Sequence, residues 1–314
     1  MFNICETPAP VKELLAEYRE RRKIYRTDKI AFEGAEGDVY NISAPFADRG
    51  ETVIAGRVER RDSEISCVRF FRRTAAGRYA ATVARALVRL QDPCVARLGG
   101  ALLIGGTQID TSPADDGQIV GWRTAYLKGP DTESLQFWRV GPHFMKDVRL
   151  LEYKKRLLVF TRPQGGAHGV GKIGTLLLDD PEDFNHISAE RAKIHRSHFV
   201  DGEWGGANEL HILKNGLIGV LGHIACMHAD KSKHYYSMAF GFDPETQACS
   251  RVKIICERRD LKEGAAKRPD LTDVLFTGGL LRGGDGTAEL YTGVSDAEAH
   301  YAVIDDPFRE YELG

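Results

Sequence analysis

Asp92 is the residue in this sequence best placed to move a proton. It stands in Gln91-Asp92-Pro93 at the head of an apolar run, and a proline after an aspartate biases it toward extended backbone, which fixes where its carboxylate points. An Asp-Pro step also marks ordinary turns; at the start of a central strand it becomes a candidate general acid or base. Arg57-Val58-Glu59 offers a second pair. On a strand Arg57 and Glu59 face the same side, either as a structural ion pair or as a planar guanidinium fork that grips sugar hydroxyls while Glu59 holds it. Lys146, Arg149 and Arg162 bracket a hairpin and alternate with apolar residues, either as solvated charges or as an anion site. His223, after Gly222, is either a satisfied core histidine or a donor to a phosphate oxygen beside those cations.

The elements that must position these groups follow from periodicity. Val11, Leu14, Leu15 and Tyr18 recur at i, i+3, i+4 and i+7 behind Pro10, which predicts one amphipathic N-terminal helix, packed as a plug or cap. Beyond it the pattern changes to short apolar runs between Gly, Asp, Asn and Pro. A unit recurs that opens on Asn or Asp, at Asn41, Asp92, Asp147, Asn208 and Asp273. The spacing, about 50 to 65 residues, is within or just beyond that of four-stranded propeller blades. The expected fold is all-β, a five-bladed β-propeller with one N-terminal helix: residues 1–30 an extension, residues 31–314 the catalytic domain. A β-sandwich is the competing architecture. In a propeller the opening Asn and Asp residues either serve as turn formers or project toward the axis, where ligands bind.

Composition narrows the function classes. The 43 Lys and Arg against 45 Asp and Glu give a near-zero net charge, with both signs interspersed, which argues against nucleic-acid and membrane-surface partners. No apolar run approaches the length needed to span a bilayer. The six cysteines lack the C-x-x-C spacing of zinc or redox sites and mostly sit in apolar runs, so they are read as reduced, in a cytoplasmic protein. Ile194-His195-Arg-Ser-His198 has no third ligand near it, and no metal is expected. No phosphate-binding Gly-x-x-x-x-Gly-Lys-Ser/Thr loop, Gly-x-Ser-x-Gly elbow or His-Glu-x-x-His helix is present. The glycine-rich Gly165–Lys172 stretch precedes no helical pattern and is read as a long loop over the funnel.

These residues together resemble a known family. The chain is similar to the small propeller proteins related to the β-mannoside phosphorylases of glycoside hydrolase family 130, and most of all to the β-1,2-mannosyltransferase/phosphorylases of protozoa and Gram-positive bacteria. The family's Glu-Asp-Pro-Arg, which carries its catalytic Asp, reads Gln91-Asp92-Pro93-Cys94 here, so Asp92 is retained and its flanks are not. The resemblance implies that Asn41, Arg57, Glu59 and Asp296, the last closing Tyr291-Thr-Gly-Val-Ser-Asp296, hold the donor sugar. It implies that Arg149, Arg162, His223 and Tyr236 bind phosphate; Lys146 is added from proximity.

The activity so implied is that of an inverting β-1,2-mannoside phosphorylase or mannosyltransferase. Asp92 would deliver its proton through a sugar hydroxyl, in keeping with one carboxylate candidate in place of the usual glycosidase pair. The partners are a β-mannan oligosaccharide, mannose 1-phosphate, and inorganic phosphate or GDP-mannose as co-substrate, with no cofactor. A hydrolase on the same scaffold and a non-catalytic sugar- or protein-binding propeller are the alternatives.

Overall fold

Apolar runs such as Leu102-Leu103-Ile104 and Leu157-Leu158-Val159-Phe160 are too continuous for strands with one wet face; they suit strands buried on both sides. In the computed structural model, which describes residues 2–313 apart from the side chains of residues 116, 117 and 167, they are so buried. The strands follow one another as five antiparallel meanders. The first is built on Glu51–Glu59 and Ser66–Arg73, with short strands Asp38–Tyr40 and Phe46–Asp48 inside and Tyr79–Ala81 outside. The second runs Leu90–Leu98, Ala101–Ser112, Asp115–Gly129, Gln136–Val140, and the third Arg149–Tyr153, Arg156–Thr161, Ile173–Leu178, Lys193–His195. The fourth runs Trp204–Ile212, Ile218–Met227, Lys233–Asp243 and on to Lys253–Cys256. The fifth runs Asp273–Arg282, Thr287–Val294, Glu298–Asp305. A short parallel contact, His234 with Asp273 and Tyr235 with Val274, joins the fourth and fifth into one sheet.

Successive side chains on a strand point to opposite faces, so each meander packs on two neighbours. Leu102 and Ile104 meet Val53 and Phe70 of the first meander, whereas Leu103 meets Leu150 and Val159 of the third. Leu158 and Phe160 turn the other way, onto Val220 and Phe240 of the fourth; Leu221 and Ala239 face Leu275 and Leu290 of the fifth. Tyr291 and Ala299 of the fifth then pack on Val39, Ile42 and Ile54 of the first. The last of these cores closes the circle. Residues 24–29, inside the segment read as an N-terminal extension, complete the fifth meander as its outer strand: Ile24–Lys29 pairs antiparallel with Glu298–Asp305.

The predicted helix forms at Val11–Arg21 with Val11, Leu14, Leu15 and Tyr18 buried. Its exposed first amide is met by a carboxylate from another part of the chain, Val11 N–H donating to Glu203 Oε1 at 2.9 Å, which also complements the positive end of the helix. It is neither axial plug nor axial cap. Its apolar face joins the core between the third and fourth meanders, and Arg19 and Arg22 pair with Glu257 and Asp260. Nor is it the single helix expected: His186–Glu190 and Arg309–Leu313 are also helical, each one turn too short to show a 3.6-residue apolar period in the sequence.

Closure leaves no room where the fifth meander meets the first. A Cβ added to Gly278 would lie 1.7 Å from the Ile42 carbonyl oxygen, and one on Gly293 2.4 Å from the Asn41 amide nitrogen. Gly278→Ala is therefore expected to destabilise the protein by about 1–3 kcal/mol, the usual cost of overpacking. Thermal unfolding followed by circular dichroism should show a lowered Tm.

Candidate active site

The polar residues that open the meanders owe their aim to the backbone. Asn41, Asp92 and Asp147 have φ of 44°, 52° and 58°, and Asp296, in the turn between the last two strands of the fifth meander, has 50°. Asn and Asp are the side-chain-bearing residues that enter this left-handed region most readily. Asp92 is thus not extended as the following proline suggested. It sits where the pairing between Leu90–Leu98 and Ala101–Ser112 slips register, and the bulge turns its carboxylate to the axis. Asn208 occupies the matching slip in the fourth meander. Asp273 does not reach the axis; its Oδ2 accepts from His234 Nδ1 at 2.7 Å and from the Tyr236 hydroxyl at 3.3 Å.

These residues surround a cavity of about 200 Å³, lined among others by Asn41, Arg57, Asp92, Asp296, Lys146, Arg162 and His223. One wall is a carboxylate network. Asn41 Nδ2 and Arg57 Nη1 donate to Asp92 Oδ1 at 2.7 and 3.1 Å, which leaves Oδ2 for a ligand. Arg57 Nε and Nη2 donate to Glu59 Oε2 at 3.1 and 2.5 Å, and the guanidinium lies over the Tyr40 ring. The alternation that put Arg57 and Glu59 on one face holds. Glu59 does not line the cavity; it stands behind Arg57, and its Oε1 accepts from the Tyr40 hydroxyl and from Lys267 Nζ. Burial raises the Asp296 carboxyl above its ordinary value; Arg57 opposes this and Asp92 adds to it.

The other wall is basic. Lys146 and Arg162 face the cavity, and Arg162 is fixed by Nε donating to the Gly205 carbonyl at 3.0 Å. Its Nη1 lies 3.5 Å from Asp147 Oδ2, and neither atom has a hydrogen-bond partner among the described residues. A buried guanidinium nitrogen that is ion-paired but makes no hydrogen bond keeps a donor free for an anion. His223 Nδ1 is 2.8 Å from Asn208 Oδ1, and its ring stacks on Tyr235. Burial drives its pKa down to about 3, against the pull of Asp147, which favours the neutral ring. For Asp147 burial acts upward, but Arg149 and Arg162 outweigh it and hold the carboxyl at about 2. The Gly165–Lys172 loop folds back onto this wall, with a 3-10 turn at Gly166–His168 and Gly171 pressed against the Arg162 guanidinium.

Two residues expected at the anion do not line the cavity. Arg149 is buried beneath the floor, donating to the carbonyls of Asn208 and Val148 and to Asp147. Tyr236 points into the core with Phe240 and the helix residue Tyr18. Strand alternation puts its neighbour Tyr235 in the cavity instead, and the sequence offers no signal to choose between adjacent tyrosines. Glu64, Gln91, Lys233, Arg268 and Phe276 also line the cavity. Of these, Gln91 was in view beside Asp92; Glu64 and Arg268 lie on connections whose course depends on the closed ring, and Lys233 and Phe276 lie on strands of the fourth and fifth meanders. All six cysteines are free, and no group of three or more His, Cys, Asp or Glu that could hold a metal ion occurs among the described residues. No described helix is long and apolar enough to cross a membrane.

Residues 16–310 match the family described as "Protein of unknown function (DUF1861)". The chain belongs to this family. No curated protein sequence matches the DUF1861 chain, but solved structures do. A mannose phosphorylase from Leishmania mexicana, in complex with phosphate ion, is 30% identical with a TM-score of 0.88, over 96% of this chain and 94% of that one. A GDP-Man-dependent mannosyltransferase from the same organism is 28% identical with a TM-score of 0.84, over 96% of each chain. A β-1,2-mannobiose phosphorylase from Listeria innocua, at 14% identity and a TM-score of 0.63 over 94% of this chain and 95% of that one, shares the propeller-like fold. The resemblance drawn from the Asp92 motif and its companions is borne out, and this DUF1861 protein is a glycoside-phosphorylase-like enzyme.

The charge balance beneath the basic wall has a measurable consequence. Asp147→Asn leaves Arg149 and Arg162 buried without their carboxylate, an expected loss of about 3–5 kcal/mol at neutral pH. A carboxyl depressed from 3.8 to about 2 contributes fully above its unfolded value and less as pH falls through the folded one. Urea unfolding at a series of pH values should therefore show the gap between wild type and Asp147→Asn full above about pH 4 and shrinking toward pH 2.

Proposed function

We propose that this protein is an inverting β-1,2-mannoside phosphorylase or mannosyltransferase, with inorganic phosphate or GDP-mannose as co-substrate. The observation that carries the reading is the division of one axial cavity between a carboxylate wall around Asp92 and a basic wall around Arg162. Its likeness in sequence to a mannose phosphorylase and a GDP-Man-dependent mannosyltransferase supports it. In this reading the five meanders are five blades of one catalytic domain, closed by the strand that the N-terminal segment supplies.

The chemistry follows from the two walls. Asn41, Arg57 and Asp296 hold the terminal mannose, with Glu59 fixing Arg57 from behind. Lys146, Arg162 and His223 hold the phosphate on the opposite side of C1, with Tyr235 in place of Tyr236 and Arg149 supporting Asp147 from below. A phosphate oxygen forms the new bond to C1 as the glycosidic C1–O bond breaks. The leaving oxygen takes a proton that Asp92 supplies, directly or through a sugar hydroxyl, and α-mannose 1-phosphate results. The reverse course, or GDP-mannose in place of mannose 1-phosphate, makes the β-linkage, and each direction inverts C1 once. Fixed cations in a partly enclosed cavity stabilise phosphate charge without reorganising.

A hydrolase is less well supported, because a basic wall with a guanidinium donor free of hydrogen bonds has no role when water is the nucleophile. The purified protein should release mannose 1-phosphate from β-1,2-mannobiose only when phosphate is present. Asp92→Asn should lower that rate by about 10²- to 10⁴-fold, the range for a general acid, with an unchanged far-ultraviolet spectrum. Free mannose formed at the same rate without phosphate would point to the hydrolase, and turnover that survives Asp92→Asn would remove Asp92 from its role. Lys146→Gln takes one charged donor from the phosphate and should raise the KM for phosphate by about tenfold or more. Initial rates against phosphate concentration measure it.

A further inference from the structure

Among the described residues of left-handed backbone other than glycine, Phe144 is the only one with an apolar side chain, at φ 57°. The others are Asn, Asp, Ser, Gln, Lys or Arg. A bulky residue takes this conformation only against steric resistance. Burial does not offset it, because Phe144 is 53% exposed. Its neighbour Met145 is the residue that anchors the segment in the core. Backbone strain spent to hold an aromatic ring in water is a feature of ligand clamps more than of cores.

The ring is held firmly. Phe144 N–H donates to the Trp122 carbonyl at 2.7 Å, and Thr124 N–H to the Met145 carbonyl at 3.0 Å. Trp122 meets Phe144 edge to face, with centroids 5.2 Å apart at 88°. His143 lies beside it with its Nε2 3.4 Å from Arg123 Nη1, so polar groups border the apolar surface. The chain links the patch to the cavity in two ways. Lys146 and Asp147, two and three residues on, form its basic wall. From Gln91 at the cavity a rung of paired residues runs outward through Thr107 and Thr124 to Met145. That is three strand spacings, roughly 14 Å.

We propose that Phe144, backed by Trp122, is a stacking platform for the sugar residues of the acceptor chain that lie outside the cavity. The proposal rests on the reading of the cavity as a sugar and phosphate site. The carboxylate wall and the basic wall take the terminal sugar and the phosphate, so the rest of a chain held at Asp92 runs toward the rim. A pyranose presents an apolar face of C–H groups and a hydroxyl edge, which match an exposed aromatic face bordered by His143 and Arg123. The glycan so recognised is a chain longer than a disaccharide.

Phosphorolysis rates on β-1,2-linked mannooligosaccharides of two to five units test this. Wild type should show a KM that falls with length by about tenfold, equivalent to about 1.4 kcal/mol. Phe144→Asn, whose side chain tolerates this backbone, should keep or raise the Tm and lose the dependence on length; Phe144→Trp should retain it. A length dependence identical in wild type and Phe144→Asn overturns the proposal. If wild type acts on no mannoside, the cavity reading fails and the platform is read separately, by tryptophan fluorescence with mannose, glucose and galactose oligosaccharides. A change in wild type that Phe144→Asn abolishes then supports the platform, and no change with any of them overturns it.

Discussion

A carboxylate buried away from water is tolerated only when cations and hydrogen-bond donors meet it, and the centre of this protein is arranged around one such group, Glu59. Its two oxygens are held by Tyr40, Arg57 and Lys267, each from a different piece of chain. Arg57 passes the constraint inward, because the same guanidinium that pairs with Glu59 also donates to Asp92. Lys267 passes it outward, since it lies on the connection between the fourth and fifth meanders that begins at Glu257 and Asp260, where the N-terminal helix docks. The orientation of Asp92 thus depends on contacts that reach the helix on the far flank. The basic wall follows the same logic with signs exchanged: Asp147 is the buried anion that lets Arg149 and Arg162 stand close together.

Much of this was legible in the sequence, for reasons that can be named. Three of the recurring Asn and Asp residues, Asn41, Asp92 and Asp147, mark their meanders because the chain there needs a residue able to enter left-handed backbone. Arg57 and Glu59 declare a shared face because strand period is two. What stayed hidden depended on closure or on one-residue choices. Tyr235 and Tyr236 are chemically identical neighbours, and strand alternation decides which lines the cavity. Glu64 and Arg268 sit on connections with no period of their own. Asp296 could be found only by family likeness, since its turn lies far along the chain from the carboxylate it faces. Asp92 shows a local rule overridden: the preference imposed by the next proline yields to the bulge that aims the side chain.

The packing also explains why the strands read as unbroken apolar runs. Antiparallel sheets often have one wet face, but here every meander has a neighbour on both sides, and adjacent residues such as Leu102 and Leu103 belong to different cores. Apart from a few buried hydroxyls such as Thr107, Ser237 and Thr277, the strand middles are mainly apolar, and polar residues at one end converge on the axis. The architecture therefore separates stability from chemistry along each strand: the middle is committed to packing and the axial end is free to carry charge.

The pairing of Ile24 with Ile304 has a consequence for how the chain folds. The outer strand of the fifth meander is made long before the strand it pairs with. Contacts of such long sequence separation form late, because the entropy of joining distant segments is met before any pairing rewards it. Asn41 and Arg57 are synthesised early as well, yet the Gly278 and Gly293 contacts that seat this region come only with the fifth meander. Catalytic competence is in this sense the final event of folding: during synthesis the N-terminal strand remains an open edge, and nascent chains are exposed to mispairing until the ring is sealed.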